Sequence, residues 1–468
     1  MITIDFTHET GSVKPLHGVN NAPLRIPAGS RQDEFKAAGI PFMRTHDTAG
    51  MWGGTHYVDI PNIFPDFDAD ENDPASYDFA FTDAYLKPVI EAGVEVFYRL
   101  GVTIENYWNV KAYRIAPPKD FAKWARICEH VVRHYNEGWA GGFKWNIRYW
   151  EIWNEPENPP MWQGTREQFF ELYRVAANHL KACFPALRIG GFGGCGFYAI
   201  DVEKDASWEN SDFYKTFPVW FEEFCKYVTD EKTSAPLDFF SWHLYSAEPE
   251  RIMRHAAYAR SVLDRNGLTR TESIFNEWNY MGATHGRTIY EDMKEAPGAA
   301  YCAAAFALMQ AGPVDKAMYY DALPTRTYCG LFYFPSFRTT PCYEAFVAFN
   351  ELYKLGTAVS CASDVPHAYV AAAVKDGKQA ILLANYSWDV DMKERPVRLD
   401  ITGGAEAYEL YLVDECCHKL THIGQYRSGE DFVLPEYSVV LALAGTAISG
   451  APEKEKDEKR PLNGIDAQ

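Results

Sequence analysis

The stretch YWEIWNEPENPPMW, residues 149–162, ends an apolar and aromatic run on an asparagine and a glutamate. From Tyr149 to Trp153 the residues alternate between two faces, a pattern that is typical of a β-strand. Three prolines between residues 156 and 160 bar any continuation of this strand. Asn154 and Glu155 are therefore predicted at the carboxyl end of a strand, the edge of a parallel sheet where catalytic groups gather.

Short apolar runs alternate with helical patterns on both sides of this strand. The strand-like runs are LHGVNN (16–21), IPFMRTH (40–46), VEVFYRL (94–100), IRYWEIWNE (147–155), LRIGG (187–191), DFFSWHLY (238–245), ESIFNEWNY (272–280) and DKAMYYD (315–321). Because strands joined by crossover helices form a parallel sheet, these units predict an α/β fold, a (β/α)8 TIM barrel over residues 15–356. A doubly wound sheet is the alternative, but the glycines of GGFGGCG (190–196) have the wrong spacing for a dinucleotide fingerprint.

The chain changes character after the last helical pattern. Residues 357–446 contain the runs AYVAAAV, QAILLAN, VRLDI, AYELYLV and YSVVLALA, separated by turn residues. This pattern predicts a C-terminal antiparallel β-sandwich domain, with Asp376 and Gly377 as a hairpin turn. Residues 1–14 include the run ITIDF, which is expected to add a strand to that domain. Residues 447–468 are expected to form a charged, solvated tail.

Composition and charge exclude several classes of function. The chain has 468 residues, of which 47% are hydrophobic, so it can bury a large core. A net charge of -19 argues against nucleic acid and anionic membranes as partners, because phosphate binding needs clustered Lys and Arg. The first residues do not resemble a signal peptide, and no run of about 18 apolar residues occurs. We therefore expect a soluble cytoplasmic protein, and the sequence leaves open a homo-oligomer.

Cysteine and histidine patterns give no sign of a disulfide framework or a metal. Ten cysteines are scattered without CxxC spacing, so we expect reduced thiols in the core. No HxH pair opens the barrel, and HVVRH (130–134) lacks the glutamate of a zinc protease. Neither GxSxG nor a phosphate-binding loop occurs. No metal or other cofactor is implied.

A second predicted strand, ESIFNEW, also ends on a carboxylate. Glu277 closes the seventh strand of the count and Glu155 the fourth, so both are expected at one mouth of the barrel. Each glutamate alone is most simply a solvated strand end. Together, each preceded by Asn and flanked by Trp, they match the two carboxyl groups that hydrolyse glycosidic bonds.

These motifs resemble the clan A retaining glycosidases, in which WNEP and NEW end the fourth and seventh strands. The ordered set of YWEIWNEPEN, MWQGTREQFFELY, LRIGG, DFFSWHLYS and IFNEWNY is similar to glycoside hydrolase family 39, which contains β-xylosidases and α-iduronidases. RTHD (44–47) and PLHGVNN (15–21) also resemble the ends of the second and first strands in that family. The resemblance implies Glu155 as the acid/base and Glu277 as the nucleophile of a double displacement. The loops at 51–64 and 319–330 depart from familiar xylosidases, which leaves the sugar open.

Other polar residues near the predicted strand ends are candidates for substrate binding. Asn154 can bond the 2-hydroxyl of a sugar, and Tyr245 can donate to the nucleophile. Each histidine has an equally plausible structural role, and some tryptophans are expected in the core. The candidates for binding or stacking on sugar are His46, Asn154, His243, Tyr245, Trp52, Trp108, Trp162 and Trp278.

The double-displacement mechanism leads to one geometric and one chemical expectation. The carboxyl groups should lie about 5 to 5.5 Å apart, the separation for retention of configuration. Glu155 should have the higher pKa of the two glutamates, because a general acid must be protonated near neutral pH.

The sequence favours an exo-acting hydrolase of oligosaccharides derived from plant polysaccharides. We rank β-xylosides first, arabinosides second and iduronides third, since a substrate carboxylate would need an Arg or Lys and only Arg44, Arg326 and Arg338 are near the mouth. The alternatives are another clan A glycosidase acting on a different sugar, and a barrel that binds glycans without catalysis.

Overall fold

A computed structural model describes residues 1–22, 31–47, 58–103, 113–201, 211–283, 286–388 and 392–453. The chain begins with strand β1 (Ile2–Ser12) and then enters a barrel. The barrel strands are β2 (Gly18–Asn20), β3 (Phe42–Arg44), β4 (Glu95–Leu100), β5 (Tyr149–Ile152), β6 (Arg188–Gly194), β7 (Phe239–Ser246), β8 (Glu272–Tyr280) and β9 (Lys316–Tyr319).

The eight barrel strands are parallel and follow the order of the chain. Strand β2 pairs with β9, and this pairing closes the sheet. The predicted α/β fold with a TIM barrel is therefore confirmed, and the doubly wound alternative is wrong because that sheet would have two open edges.

Helices cover the barrel between the strands. They are α1 (Gln32–Ala37), α2 (Ile60–Ile63), α3 (Ala80–Glu91), α4 (Phe121–Asn136), α5 (Arg166–Cys183), α6 (Asp212–Thr229), α7 (Pro249–Arg265), α8 (Ile289–Asp292), α9 (Ala296–Ala311) and α10 (Pro341–Leu355). Local signals set several ends: Thr165 and Gln168 form a capping box at α5. Thr340 caps the start of α10, and Gly356 takes the left-handed conformation at its end.

The interior of the barrel is apolar at one end and polar at the other. Aromatic and aliphatic side chains from the first residues of the strands form a separate cluster, which consists of Phe42, Phe97, Tyr149, Phe239, Ile274 and Met318. Further along the same strands the inward positions are polar and buried, as at Arg44, Glu151, Ser241 and Asn276. Burying polar groups is costly unless they form hydrogen bonds, so the polar end of the barrel is the candidate functional site.

The second part of the structure is a nine-stranded, mostly antiparallel sheet. After the barrel the chain forms β10 (Thr357–Ser363), β11 (Ala368–Lys375), β12 (Lys378–Asn385), β13 (Arg395–Thr402), β14 (Ala407–Val413), β15 (Thr421–Arg427), β16 (Asp431–Leu434) and β17 (Ser438–Ala444). Strand β1 lies between β10 and β13. The hairpin turn is confirmed, since Asp376 and Gly377 have positive φ and join paired strands β11 and β12.

The sheet packs against α9 and α10 and encloses a second apolar cluster of its own. This arrangement agrees with the predicted β-sandwich. All ten cysteines are free thiols, but Cys416 is exposed and Cys183 and Cys361 are half-buried, so the expected core position holds for the other seven. In the described part of the chain, no helix has the length and apolar character needed to cross a membrane. Most of the expected charged tail, from residue 454 onward, lies outside the described residues.

Candidate active site

The chain leaves β5 through two residues in the left-handed region. Trp153 has φ of 73° and Glu155 has φ of 45°, an uncommon conformation for residues other than glycine. The amide of Glu155 donates to the carbonyl of Gly193 at 2.9 Å, which fixes the turn against β6. Trp153 is buried outside the strands, beside Trp162. The turn thus directs both Asn154 and Glu155 towards the barrel mouth.

Strand β8 contains a β-bulge just before its carboxylate. Trp242 of β7 pairs with Phe275, whereas the next residue, His243, pairs with Glu277, so that Asn276 is the extra residue. A bulge reverses the facing of every residue that follows it. Asn276 and Glu277 are therefore both available to the interior, and Trp278 faces the helices.

Glu277 is held by two donors, one on each carboxylate oxygen. The hydroxyl of Tyr245 donates to Oε1 at 2.6 Å, and Nη1 of Arg44 donates to Oε2 at 3.1 Å. Tyr245 lies on β7 two residues after His243, so both side chains face inward. This arrangement fixes one carboxylate orientation, which is what a nucleophile needs.

Arg44 connects the two strand ends that carry the glutamates. The guanidinium is completely buried and donates to Asn154 at 2.5 Å and to Glu151 at 2.7 Å, besides Glu277. Glu151 in turn accepts from Ser241 at 2.5 Å and from Asn276 at 2.6 Å. Glu151 was not among the predicted site residues, because nothing in β5 alone shows that its carboxylate meets an arginine, and Arg44 was predicted only as a cation near the mouth.

Glu155 has a different set of neighbours. Its Oε1 lies 2.8 Å from Nδ1 of His243, and its Oε2 accepts from Asn158 at 3.1 Å. The side chain of Cys195 is a further neighbour that lowers the pKa of Glu155. Burial raises the pKa of Glu155, but the hydrogen bond and the charge of His243 outweigh burial and the pKa is lowered. This direction is opposite to the one that a general acid needs, and no sequence motif signals that Glu155 meets a histidine.

The two glutamates face each other across a short gap. One carboxylate oxygen of Glu155, one of Glu277 and a ring nitrogen of His243 all lie within 4.8 Å of one another. Inverting glycosidases separate their carboxyl groups by about 6.5 to 9.5 Å to admit a water, and retaining ones by about 5 to 5.5 Å. The arrangement fits attack by one carboxylate directly on a sugar.

A glycine of β6 lies at the centre of these contacts. Gly193 has φ of +58°, and a Cβ there would lie 2.9 Å from Nη2 of Arg44 and 3.0 Å from Oδ1 of Asn154. It would also lie 3.2 Å from Nε2 of His243. The run GGFGGCG therefore serves close approach to the active-site side chains and not phosphate binding.

The end of β9 adds a carboxyl group that sequence reasoning missed. Asp321 is buried, and its Oδ2 accepts from Asn21 at 3.2 Å. Burial raises the pKa of Asp321 to about 8, and the charge of Glu277 adds to the rise. The preceding Tyr320 donates to Asp47 at 2.6 Å. The run YYD at the end of the eighth strand was the available signal.

The tyrosines of this mouth form an aromatic wall. The ring of Tyr328 lies 6.0 Å from Tyr245 and 5.7 Å from Tyr320, in edge-to-face contacts. Tyr328 belongs to the loop between β9 and α10. Tyr245 of this wall also donates to Glu277, so the wall lies beside that carboxylate.

The structure brings some of the predicted binding residues together and not others. Asn154, His243 and Tyr245 contact the two glutamates or Arg44, and His46 is buried nearby with Nε2 at 3.4 Å from Asp47. Trp278 is fully buried against Tyr319 and Phe306, and Trp162 packs on Phe169, so these two rings do not face the mouth. The bulge explains the position of Trp278. Trp52 and Trp108 lie outside the described residues.

Comparison with known proteins agrees with this geometry. The sequence profile described as Glycosyl hydrolases family 39 matches residues 51–278. A β-xylosidase of Geobacillus stearothermophilus is 25% identical over 202 residues, which are 41% of this chain and 35% of that protein. A β-xylosidase of Caldicellulosiruptor saccharolyticus is 29% identical over 182 residues, which are 37% of this chain and 32% of that protein. The chain thus spans about a third of the length of these curated relatives.

A solved structure extends the likeness to almost the whole chain. The structure of a glucosidase from Croceicoccus marinus superposes with a TM-score of 0.73 at 23% identity, covering 94% of this chain and 98% of that one. This likeness shows the fold. The predicted resemblance to the family is confirmed over the matched residues.

Proposed function

We infer that this chain, a member of glycoside hydrolase family 39 through residues 51–278, is a retaining glycosidase that cleaves oligosaccharides by double displacement. The observation that carries the proposal is the pair of carboxylates within 4.8 Å at the carboxyl end of the barrel, each with different partners. Glu277 serves as the nucleophile and Glu155 as the acid/base. A barrel that only binds glycans has no need of a fixed, opposed pair.

In the first step Glu277 attacks the anomeric carbon while Glu155 protonates the departing oxygen. The hydrogen bonds from Tyr245 and Arg44 hold the attacking carboxylate in place. Asn154, itself fixed by Arg44, bonds the 2-hydroxyl in this mechanism as positive charge develops on the sugar ring. The product is a covalent glycosyl-enzyme.

The acid role of Glu155 requires a proton on its carboxyl group when substrate is bound. In the open site His243 lies 2.8 Å away and lowers the pKa of Glu155. Substrate that fills the mouth excludes water, and lower polarity favours the protonated carboxylic acid. After the leaving group departs, the Glu155 carboxylate takes a proton from water, which then attacks the glycosyl-enzyme.

The preferred substrate is a neutral pentoside, with β-xylosides first and arabinosides second. The aromatic wall of Tyr245, Tyr320 and Tyr328 supports a small sugar, because it fills space beside the nucleophile. Iduronides stay third, since Arg44 is fully committed to protein partners and Arg326 is exposed. One hydroxymethyl group changes discrimination by only about 1 to 3 kcal/mol, so hexoside side activity is expected.

The test is hydrolysis of nitrophenyl β-xyloside, α-arabinofuranoside, β-glucoside and β-galactoside, with the anomer of the first product followed by NMR. We expect the β-xyloside to react fastest with retention. Inversion would remove Glu277 as nucleophile, whereas turnover of hexosides alone would overturn the sugar ranking and leave the mechanism intact.

Variants assign the two roles separately. Glu155→Gln should lose about 10²- to 10⁴-fold in turnover, less for substrates with good leaving groups, which need no acid. Added azide should rescue it with a retained glycosyl azide, while Glu277→Ala with azide should give the inverted product. Glu272→Gln, at the opposite end of β8 beside Lys316, is the control and should keep its activity.

A further inference from the structure

The motif WNEPEN holds a second glutamate two residues after the acid/base. Glu157 is buried, with 7% of its surface exposed. Its Oε1 accepts the amide of Cys195 at 2.6 Å, and its Oε2 is buried without a hydrogen-bond partner among the described residues. No Lys or Arg of the described residues lies within ion-pair distance of it. A buried, unpaired carboxylate of this kind is costly, so its state needs an explanation.

Glu157 joins the two loops that surround Glu155. It follows Glu155 in the turn after β5, and it binds the residues that follow β6. The contact is close, because a Cβ on Gly194 would lie 3.3 Å from Oε1 of Glu157. The side chain of Cys195, whose amide Glu157 holds, is itself a neighbour that lowers the pKa of Glu155. Any movement of Glu157 would therefore move a neighbour of the acid/base.

The titratable groups around Glu157 are acidic or neutral. Burial raises the pKa of Glu157 well above its usual range, and the negative charge of Glu155 adds to the rise. Burial likewise raises the pKa of the Cys195 thiol, so that this neighbour carries no charge. His243 contacts Oε1 of Glu155 and Asn158 donates to Oε2, so both of these side chains bind Glu155.

We propose that Glu157 is carried as the uncharged carboxylic acid and is a positioning residue for Glu155, holding the loops after β5 and β6 together without adding a charge beside the acid/base. The proposal rests on the proposed function, because only an acid/base that alternates between two protonation states is sensitive to a neighbouring charge. In the second step Glu155 must be a carboxylate, and an ionised Glu157 would oppose that state. A neutral Glu157 keeps the same contact with Cys195 and exerts no such repulsion.

The first test reads the protonation state without using activity. Infrared difference spectra of wild type against Glu157→Gln at pH 7 should show the loss of one protonated carboxylic acid band. Loss of a carboxylate band in its place would overturn the proposal. If Glu157→Gln does not fold, Glu157→Met, which also removes the carboxyl group at similar size, supplies the same difference spectrum.

The second test is the pH dependence of stability. A pKa that is higher in the folded state than the value of about 4.3 in the unfolded state means that the folded state binds more protons, so stability falls as pH rises through this window. Glu157→Gln removes this loss, and its Tm should rise relative to wild type between pH 5 and pH 8. If the difference in Tm between Glu157→Gln and wild type stayed constant from pH 5 to pH 8, this would contradict a neutral Glu157.

The third test separates positioning from mere burial. Glu344→Gln is the matched control: Glu344 is buried, accepts the amide of Leu420 at 3.3 Å, and burial raises its pKa to about 7. Both variants should gain stability at high pH. Only Glu157→Gln should move the alkaline limb of kcat/KM, and to lower pH, because at high pH an ionised Glu157 helps to hold the proton on Glu155. Its activity at neutral pH should stay within a few fold of wild type. Identical pH profiles in the two variants would overturn the positioning role.

A wild type that hydrolyses no glycoside would defeat the proposed function, while the infrared and stability results would still decide the state of Glu157.

Discussion

Arg44 shows how a single side chain can set the geometry of two catalytic candidates. Its guanidinium touches Glu277 directly and reaches the β5 end through Asn154. The planar guanidinium of an arginine suits this task, because its N–H donors point in fixed directions. The carboxylate of Glu151 forms an ion pair with Arg44 and so offsets the positive charge of the guanidinium. Arg44 is thus bound in place by protein groups and does not have to be ordered by substrate.

Tyr245→Phe removes one of the two donors to Glu277 and keeps the ring. Because a hydrogen bond to a charged group is worth about 1.5 to 3 kcal/mol, we expect kcat to fall about 10- to 100-fold with a smaller change in KM. Steady-state kinetics on the best aryl glycoside measure this. The control is Tyr227→Phe, which removes a similar bond of 2.8 Å to Glu171 between two surface helices. Equal kinetics for both variants would show that Tyr245 does not assist the nucleophile.

Strand β8 carries the candidate nucleophile only because of its bulge. With regular alternation after Ile274, the inward positions would be Asn276 and then Trp278. The bulge places Glu277 inward and allows Trp278 to fill the space between the barrel and α9, against Phe306. The same feature therefore explains both the active-site carboxylate and the buried tryptophan.

Strand β6 supplies the space that the site needs, which Gly193→Ala would remove. The new Cβ would meet Arg44 and Asn154, whose positions are locked by hydrogen bonds, so overpacking of about 1 to 3 kcal/mol is expected with large loss of turnover. Gly267→Ala is a matched control, since Gly267 also has positive φ, +77°, but has nothing within 4 Å of its Cβ position. The measurements are urea unfolding and kcat/KM. Full activity in Gly193→Ala would mean that the close contact of β6 with Arg44 and Asn154 is not needed.

The sheet and the barrel are held together by polar and aromatic contacts near the mouth. Tyr386, in the loop after β12, is fully buried against Tyr280 and Tyr301, and its hydroxyl donates to the carbonyl of Ala247 at 2.5 Å. Ala247 follows Tyr245 by two residues. All described partners of Glu155 and Glu277 come from the barrel, so the sheet supports the site from outside.

Tyr386→Ala should destabilise the whole molecule by about 3 to 5 kcal/mol, as removal of a large buried aromatic does, whereas Tyr386→Phe should cost about 1 kcal/mol. Every tryptophan except Trp388 precedes residue 357, so tryptophan fluorescence reports on the barrel. We expect the fluorescence transition in urea to shift with the circular dichroism transition. A barrel transition that stays at the wild-type midpoint would show that the two parts unfold independently.

The sequence by itself determined the barrel, the added sheet and the strand ends that carry Asn154, Glu155 and Glu277. These features follow from local patterns: alternation, prolines that stop a strand, and helical periodicity between strands. The family resemblance added the two catalytic roles, which remain a proposal for this chain.

Only the tertiary structure decided which neighbours each of these residues has. The bulge at Asn276 and the left-handed residues after β5 depend on pairing with adjacent strands. The lowered pKa of Glu155 depends on His243, which lies 88 residues away in the chain. Burial, hydrogen bonding and charge act through space, and a linear pattern carries no record of which distant side chain will supply them.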